Sequence, residues 1–108
     1  MAFAGTPKNW PLTSYSTSTW TDLIATTSGE KIVRGIQIGT GSNAGTVKVR
    51  VTDSASASLY TVVPGESLLA NTSYPADFQG GMIMLNSTEK LQVWASVSGF
   101  EFSAHGFI

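Results

Sequence analysis

The chain has 108 residues, 12% of them charged, a formal net charge of −1 and no cysteine. That length holds one domain, burying roughly two-thirds of the surface the unfolded chain exposes, and the lack of cysteine excludes disulfides, thiolate metal sites and a cysteine nucleophile. The six basic residues, Lys8, Lys31, Arg34, Lys48, Arg50 and Lys90, are scattered, so the clustered footprint of phosphate neutralisation is missing and no nucleic-acid partner is expected.

Residues 1–19 differ from the rest. Gly5, Pro7, Pro11 and the run Thr13-Ser14-Tyr15-Ser16-Thr17-Ser18-Thr19 break any periodicity, while Phe3, Trp10 and Tyr15 supply aromatics. The segment reads as an extended N-terminal arm, separate from a domain over residues 20–108 and loosely held in the isolated chain. Its three aromatics, unlike the polar composition of a linker, point to docking on a neighbouring subunit or partner. The first residues carry no charged and apolar leader, so no secretion signal is expected. No run approaches the ~18 apolar residues that span a bilayer, so no membrane association is expected either.

From Trp20 to Ile108 short apolar/polar alternations recur, each cut by Gly, Ser, Asn, Thr or Pro. A period of two buries one face of a strand and wets the other. The first strand is predicted over Trp20–Ala25 and the second over Lys31–Ile38. In the second, Ile32, Arg34, Ile36 and Ile38 share one parity, which would bury Arg34; a bulge near Arg34-Gly35 would flip the register and release it. Thr40 to Ala44 reads as a hairpin loop into a strand from Gly45 to Asp53, whose Val47, Val49 and Val51 face inward. A small-residue connection leads to a strand over Leu59–Val63, which the Pro64-Gly65 turn signal stops. Glu66–Ala70 follows, then a loop through Asn71 and Pro75 to Gly80-Gly81. Met82–Leu85 is predicted to pair with Leu91–Val97 across Asn86-Ser87-Thr88, with Leu91, Val93, Ala95 and Val97 buried and Trp94 outside. Phe100, Phe102, Ala104 and Gly106 share the buried side of the last strand. About eight strands and no helix predict an all-β, antiparallel β-sandwich of jelly-roll type.

Reactive constellations are scarce. Gly39-Thr40-Gly41-Ser42-Asn43-Ala44 has the spacing of a dinucleotide-binding turn, but a strand follows it where a helix is required. His105 is the sole histidine; Ser103 and Glu101 share its strand parity, and alternate residues on one strand project in parallel without converging. Asp22, Asp53, Asp77, Glu66, Glu89 and Glu101 stand singly, without calcium-loop or metal-cluster spacing. Asn71-Thr72-Ser73 and Asn86-Ser87-Thr88 match the glycosylation pattern and read as turns. Neither an enzyme nor a bound cofactor or metal is expected. Large outward aromatics anchor interfaces, so Phe3, Trp10, Tyr15 and Trp94 are the candidate partner-interface residues.

Several segments together resemble a group of small virion proteins of tailed bacteriophages. They are Trp20, Gly29-Glu30-Lys31-Ile32-Val33-Arg34-Gly35-Ile36-Gln37-Ile38, Val47-Lys48-Val49-Arg50-Val51, Glu66-Ser67-Leu68-Leu69, Gly81-Met82-Ile83-Met84-Leu85 and Glu89-Lys90-Leu91-Gln92-Val93-Trp94-Ala95-Ser96. The resemblance covers most of residues 20–108 and leaves the aromatic arm unmatched. It implies a capsid cement (decoration) protein that stabilises the assembled head, made in the host cytoplasm and built into the virion. The implied partners are the major capsid protein or other virion proteins, and the implied assembly is a homotrimer. A tail, baseplate or fibre component is the alternative within the virion. A carbohydrate-binding β-sandwich module is the alternative outside it.

Overall fold

Nine strands, all paired antiparallel, form two sheets in the computed structural model, which describes residues 5–26, 29–77 and 82–108. They are β1 (Pro7–Leu12), β2 (Thr21–Ile24), β3 (Lys31–Gly39), β4 (Gly45–Thr52), β5 (Ser58–Leu68), β6 (Ser73–Asp77), β7 (Ile83–Leu85), β8 (Lys90–Ala95) and β9 (Glu101–Phe107). The first sheet runs β1-β9-β3-β6, with β7 also on β3, and the second runs β2-β8-β4-β5. The inner faces meet in one core. Val47, Val49 and Val51 of β4 lie against Leu91, Val93 and Ala95 of β8 in the second sheet. Val33, Ile36 and Ile38 of β3 line up with Phe102 and Ala104 of β9 in the first. The protein is therefore an antiparallel β-sandwich.

The bulge expected in β3 is present: the β3–β9 register shifts between Val33 and Gly35. Val33 lies inside before it and Ile36 inside after it, while Arg34 is exposed. The flip also turns Lys31 inward and leaves Ile32 on the outer face. Burial lowers the Lys31 ammonium pKa, and the Glu89 carboxylate offsets part of that effect. The bulge brings two backbones close: a Cβ on Gly106 would lie 1.7 Å from the Ile32 carbonyl oxygen, so only glycine fits there.

Several expectations are overturned. Pairing of Met82–Leu85 with Leu91–Val97 does not occur; β7 pairs with β3 and β8 with β2 and β4, so Asn86 to Glu89 carries the chain from one sheet to the other. The loop from Thr40 to Ala44 likewise crosses between sheets and is no hairpin. It is tied down where the Thr40 hydroxyl donates to Leu69 O at 2.8 Å and accepts from Thr72 N at 2.9 Å. Pro64-Gly65 does not stop a strand: β5 continues through it as an edge strand. The register shifts between Val47 and Val49 opposite this dipeptide, and a bulge on an edge is where proline's missing N–H is tolerated. The stretch through Pro75 is not all loop either, since β6 adds to the free edge of β3. Val97 is half-buried, not buried.

The seam placed after residue 19 is absent. Within residues 1–19, β1 pairs with β9 from Pro7↔Phe107 to Leu12↔Phe102, and Trp10, Leu12 and Tyr15 pack on the core. Alternation was hard to see because Pro7 and Pro11 occupy outward edge positions and only Trp10 and Leu12 face in. Thr6 and Ile108 exchange backbone bonds of 3.0 and 2.9 Å, closing the ladder.

Deleting residues 1–16 is expected to lower the melting temperature sharply, because it uncovers β9 and strips three apolar side chains from the core; an unchanged thermal transition would restore the detachable arm. Val49→Asp is expected to unfold the domain, since an unpaired carboxylate at that fully buried position costs several kcal/mol, as circular dichroism would show.

Candidate interaction face

Alternation in β4 and β8 turns Lys48 and Arg50 outward beside Trp94 and Gln92, and the register pairs Lys48 with Trp94 and Arg50 with Gln92. Directly opposed residues of an antiparallel pair share a face and touch. The Lys48 ammonium sits 4.2 Å from the Trp94 ring centroid, and the Arg50 guanidinium 4.1 Å from that of Trp20. Trp20 stands just before β2, whose Asp22 is opposite Gln92. Cations at this distance over an indole face are attracted by the ring quadrupole.

Gln92, 4% exposed, is the hub. Its Oε1 accepts from Arg50 Nε at 2.9 Å, and its Nε2 donates to Asp22 Oδ1 at 2.8 Å and to Ser56 Oγ at 3.2 Å. Lys90 Nζ donates to Ser56 Oγ at 3.1 Å and lies 3.6 Å from Asp22 Oδ2. Ser56 reaches this point because the loop after β4 folds back, with Ser56 at φ 66°. Asp53 holds that loop by accepting from Ala55 N and Ala57 N, both at 2.9 Å. The network joins donors and acceptors from β2, β4, β8 and the loop after β4, which rigidifies the face.

Of the four predicted interface residues, Trp94 lies outward as expected but half-buried under Lys48. Trp10 is half-buried against the protein's own core. Tyr15 is an internal anchor: its hydroxyl donates to Val97 O at 2.8 Å and accepts from Phe100 N at 2.9 Å, and its ring meets Phe102 edge-on at 5.6 Å. Phe3 lies outside the described residues. The three described residues do not share one surface: Trp94 lies on the outside of the second sheet, while Trp10 and Tyr15 pack on the core. The cluster that the structure assembles centres on Trp20, Arg50 and Gln92, which single-strand parity cannot reveal because it depends on cross-strand register.

On the first sheet, His105 is exposed with its ring over Gly35, where a Cβ would meet Cε1 at 2.7 Å. His105, Arg34, Lys8, Asn9 and Phe107 line a shallow depression with Pro7 and Gly106. Glu101, Ser103 and His105 lie opposite Gly39, Gln37 and Gly35 across the β9–β3 ladder, at successive outward positions of one strand. Among the described residues no group of three His, Cys, Asp or Glu is placed to hold a metal ion.

Arg50→Ala is expected to cost about 1–3 kcal/mol by taking their donor from Gln92 Oε1 and from the Ser56 backbone carbonyl, which the guanidinium also reaches, with a shift in Trp20 fluorescence; an unchanged denaturant midpoint would show the network to be idle. Burial raises the Tyr15 phenol above its ordinary 10.0, with the Phe100 bond opposing it, and Tyr60 is raised too. A raised folded-state pKa gives stability that is whole below the unfolded value and lost as pH climbs through the folded one. Melting temperature should therefore fall above about pH 10, and Tyr15→Phe should remove part of that fall. No protein-family model matches the chain, and no curated protein sequence does.

Proposed function

We propose that the protein is a structural component of a tailed-phage virion, acting as a cement protein that bridges subunits of the assembled head. The observation that carries this reading is the distribution of exposed large apolar side chains. Leu59, Tyr60 and Leu69 stand out on β5 and just beyond it, while Met82, Met84 and Ile108 stand out beside the first sheet. A sandwich with apolar groups on two separate parts of its surface suits a bridge between two neighbours. The bonded network on the face of the second sheet supports a rigid spacer.

The strand order supports the jelly-roll reading. Successive strands alternate between sheets except β4–β5 and the pair β6 and β7, which share one edge of β3; this is the interleaving expected of a double-sheet jelly roll. A clamp that binds only the assembled lattice stabilises it by mass action, and roughly 800 Å² per partner suffices at each repeated site. The resemblance implies a homotrimer, which light scattering would report as a mass near three chains. A tail or baseplate address is compatible with the same fold.

The test is co-sedimentation with expanded, empty heads. Met84→Asp and Leu59→Asp should each weaken attachment by roughly tenfold or more, equivalent to ~1.4 kcal/mol, at unchanged melting temperature. Heads that gain no heat resistance from the unaltered protein would sink the cement reading, and cryo-electron microscopy of the particle would distinguish head from tail.

A further inference from the structure

The two sheets have four edges: β1 and the β6/β7 flank on the first, β2 and β5 on the second. An edge strand offers backbone N–H and C=O groups that another strand can pair with, and proteins blunt such edges with proline, charge, shortness or bulges. Three of the four are blunted by proline, shortness or charge. β1 carries Pro7 and Pro11. Across that sheet, the five residues of β6 with Pro75 and the three of β7 are parted at the kink in β3. β2 has four residues, one of them Asp22, and its register shifts between Asp22 and Ile24.

β5 is the exception. It runs for 11 residues with β4 on one side, and no described strand lies on the other. Ser58-Leu59-Tyr60-Thr61-Val62-Val63 holds no charge and no proline, and its β-branched and aromatic residues suit a paired strand. The register passes over Leu59, since Tyr60 lies opposite Val51 and Ser58 opposite Thr52. That slip releases Leu59 beside Tyr60, and the two are 51% and 46% exposed. Val62 is passed over in the same way, so bulges bend this edge where the others are blocked. Pro64, without an N–H, ends the stretch that can take a partner.

We propose that this stretch pairs with its counterpart in a second copy of the chain, antiparallel about a two-fold axis, joining two four-stranded sheets into one of eight strands. Two properties name that occupant. In a two-fold pair the same patch meets itself, and a stretch without charge sets no like charges opposite one another. Neighbouring strands of a sheet share their twist, and β5 of another copy brings the same bend. Six residues make an edge of roughly 20 Å, small against the ~800 Å² per partner of a lasting interface. The pair is therefore weak and forms where copies are held close. The inference stands on the edge alone; within the cement reading it makes a second copy one of the two bridged neighbours. A two-fold contact does not close a ring of three, so the homotrimer that the resemblance implies would be held by another surface.

Sedimentation velocity tests the pairing. The mass of the unaltered chain should climb from one chain toward two between about 5 and about 500 µM. Leu59→Lys combined with Tyr60→Lys, both at exposed positions, should hold it at one chain at unchanged melting temperature. A single chain throughout, or a mass of two or three that the double substitution leaves in place, would overturn the inference. In a mixture of isotope-labelled and unlabelled chains, NMR should show contacts between Cα protons of residues 58–63 in different copies. Association without those contacts would overturn it as well. Co-sedimentation with heads is read separately: a chain that stays single yet attaches leaves the cement reading standing, and one that pairs without attaching leaves the pairing standing.

Discussion

The bulge at Arg34 in β3 is the constraint on which the first sheet depends. A strand of nine residues with regular alternation would have to bury either Arg34 or a polar neighbour. One extra residue lets Lys31 and Val33 face inward on one side of the kink, and Ile36 and Ile38 on the other. The cost is local and visible. The Ile32 carbonyl presses onto β9 where only Gly106 can stand, and Gly35 lies flat under His105. On the opposite flank, β6 pairs with β3 up to Gly35 and β7 pairs from Val33 onward, so the interruption of that edge coincides with the kink. Bulges bend a strand and re-aim its side chains, and here the re-aimed ones are Ile32 and Arg34.

Which side of each strand faces in was legible from the residues, and which strand sits beside which was not. The valines of β4 and the Leu91-Val93-Ala95 set declare their faces because burial repeats every second residue. Pairing partners depend on residues far apart in the chain, and proximity in sequence misleads when consecutive strands belong to different sheets. That is why Met82–Leu85 looked like the partner of the strand that follows it. Proline misled for one physical reason. At Pro11 and Pro64 it reads as a breaker, yet both lie on edge strands, where no neighbour needs the missing N–H.

The candidate faces were legible to a lesser degree. Trp94 could be placed outside from its own strand. That Trp20 would lie under Arg50, or that Gln92 would join Asp22 to Ser56, required the β2–β8–β4 register and the fold-back of the loop at Ser56. Tyr15 carried a misleading signal: an aromatic in a Ser/Thr-rich segment resembles an outward anchor, but its hydroxyl closes two backbone groups between β8 and β9. Polar surroundings in sequence say little about burial when a single side chain reaches into the core from the edge.

The interleaved strand order also bears on how the chain reaches this state. Among the described strands only β4 and β5 are hydrogen-bonded neighbours that also follow one another in sequence. Every other ladder joins segments separated by at least one intervening strand, and the longest joins Pro7 to Phe107. Loop-closure entropy must be overcome before such remote pairings return any energy, so folding belongs to the slow, high-contact-order regime. The β4–β5 hairpin is the one local unit on which a nucleus can form. The ladder between β1 and β9 closes last on this view, since it needs both ends of the domain to be present at once.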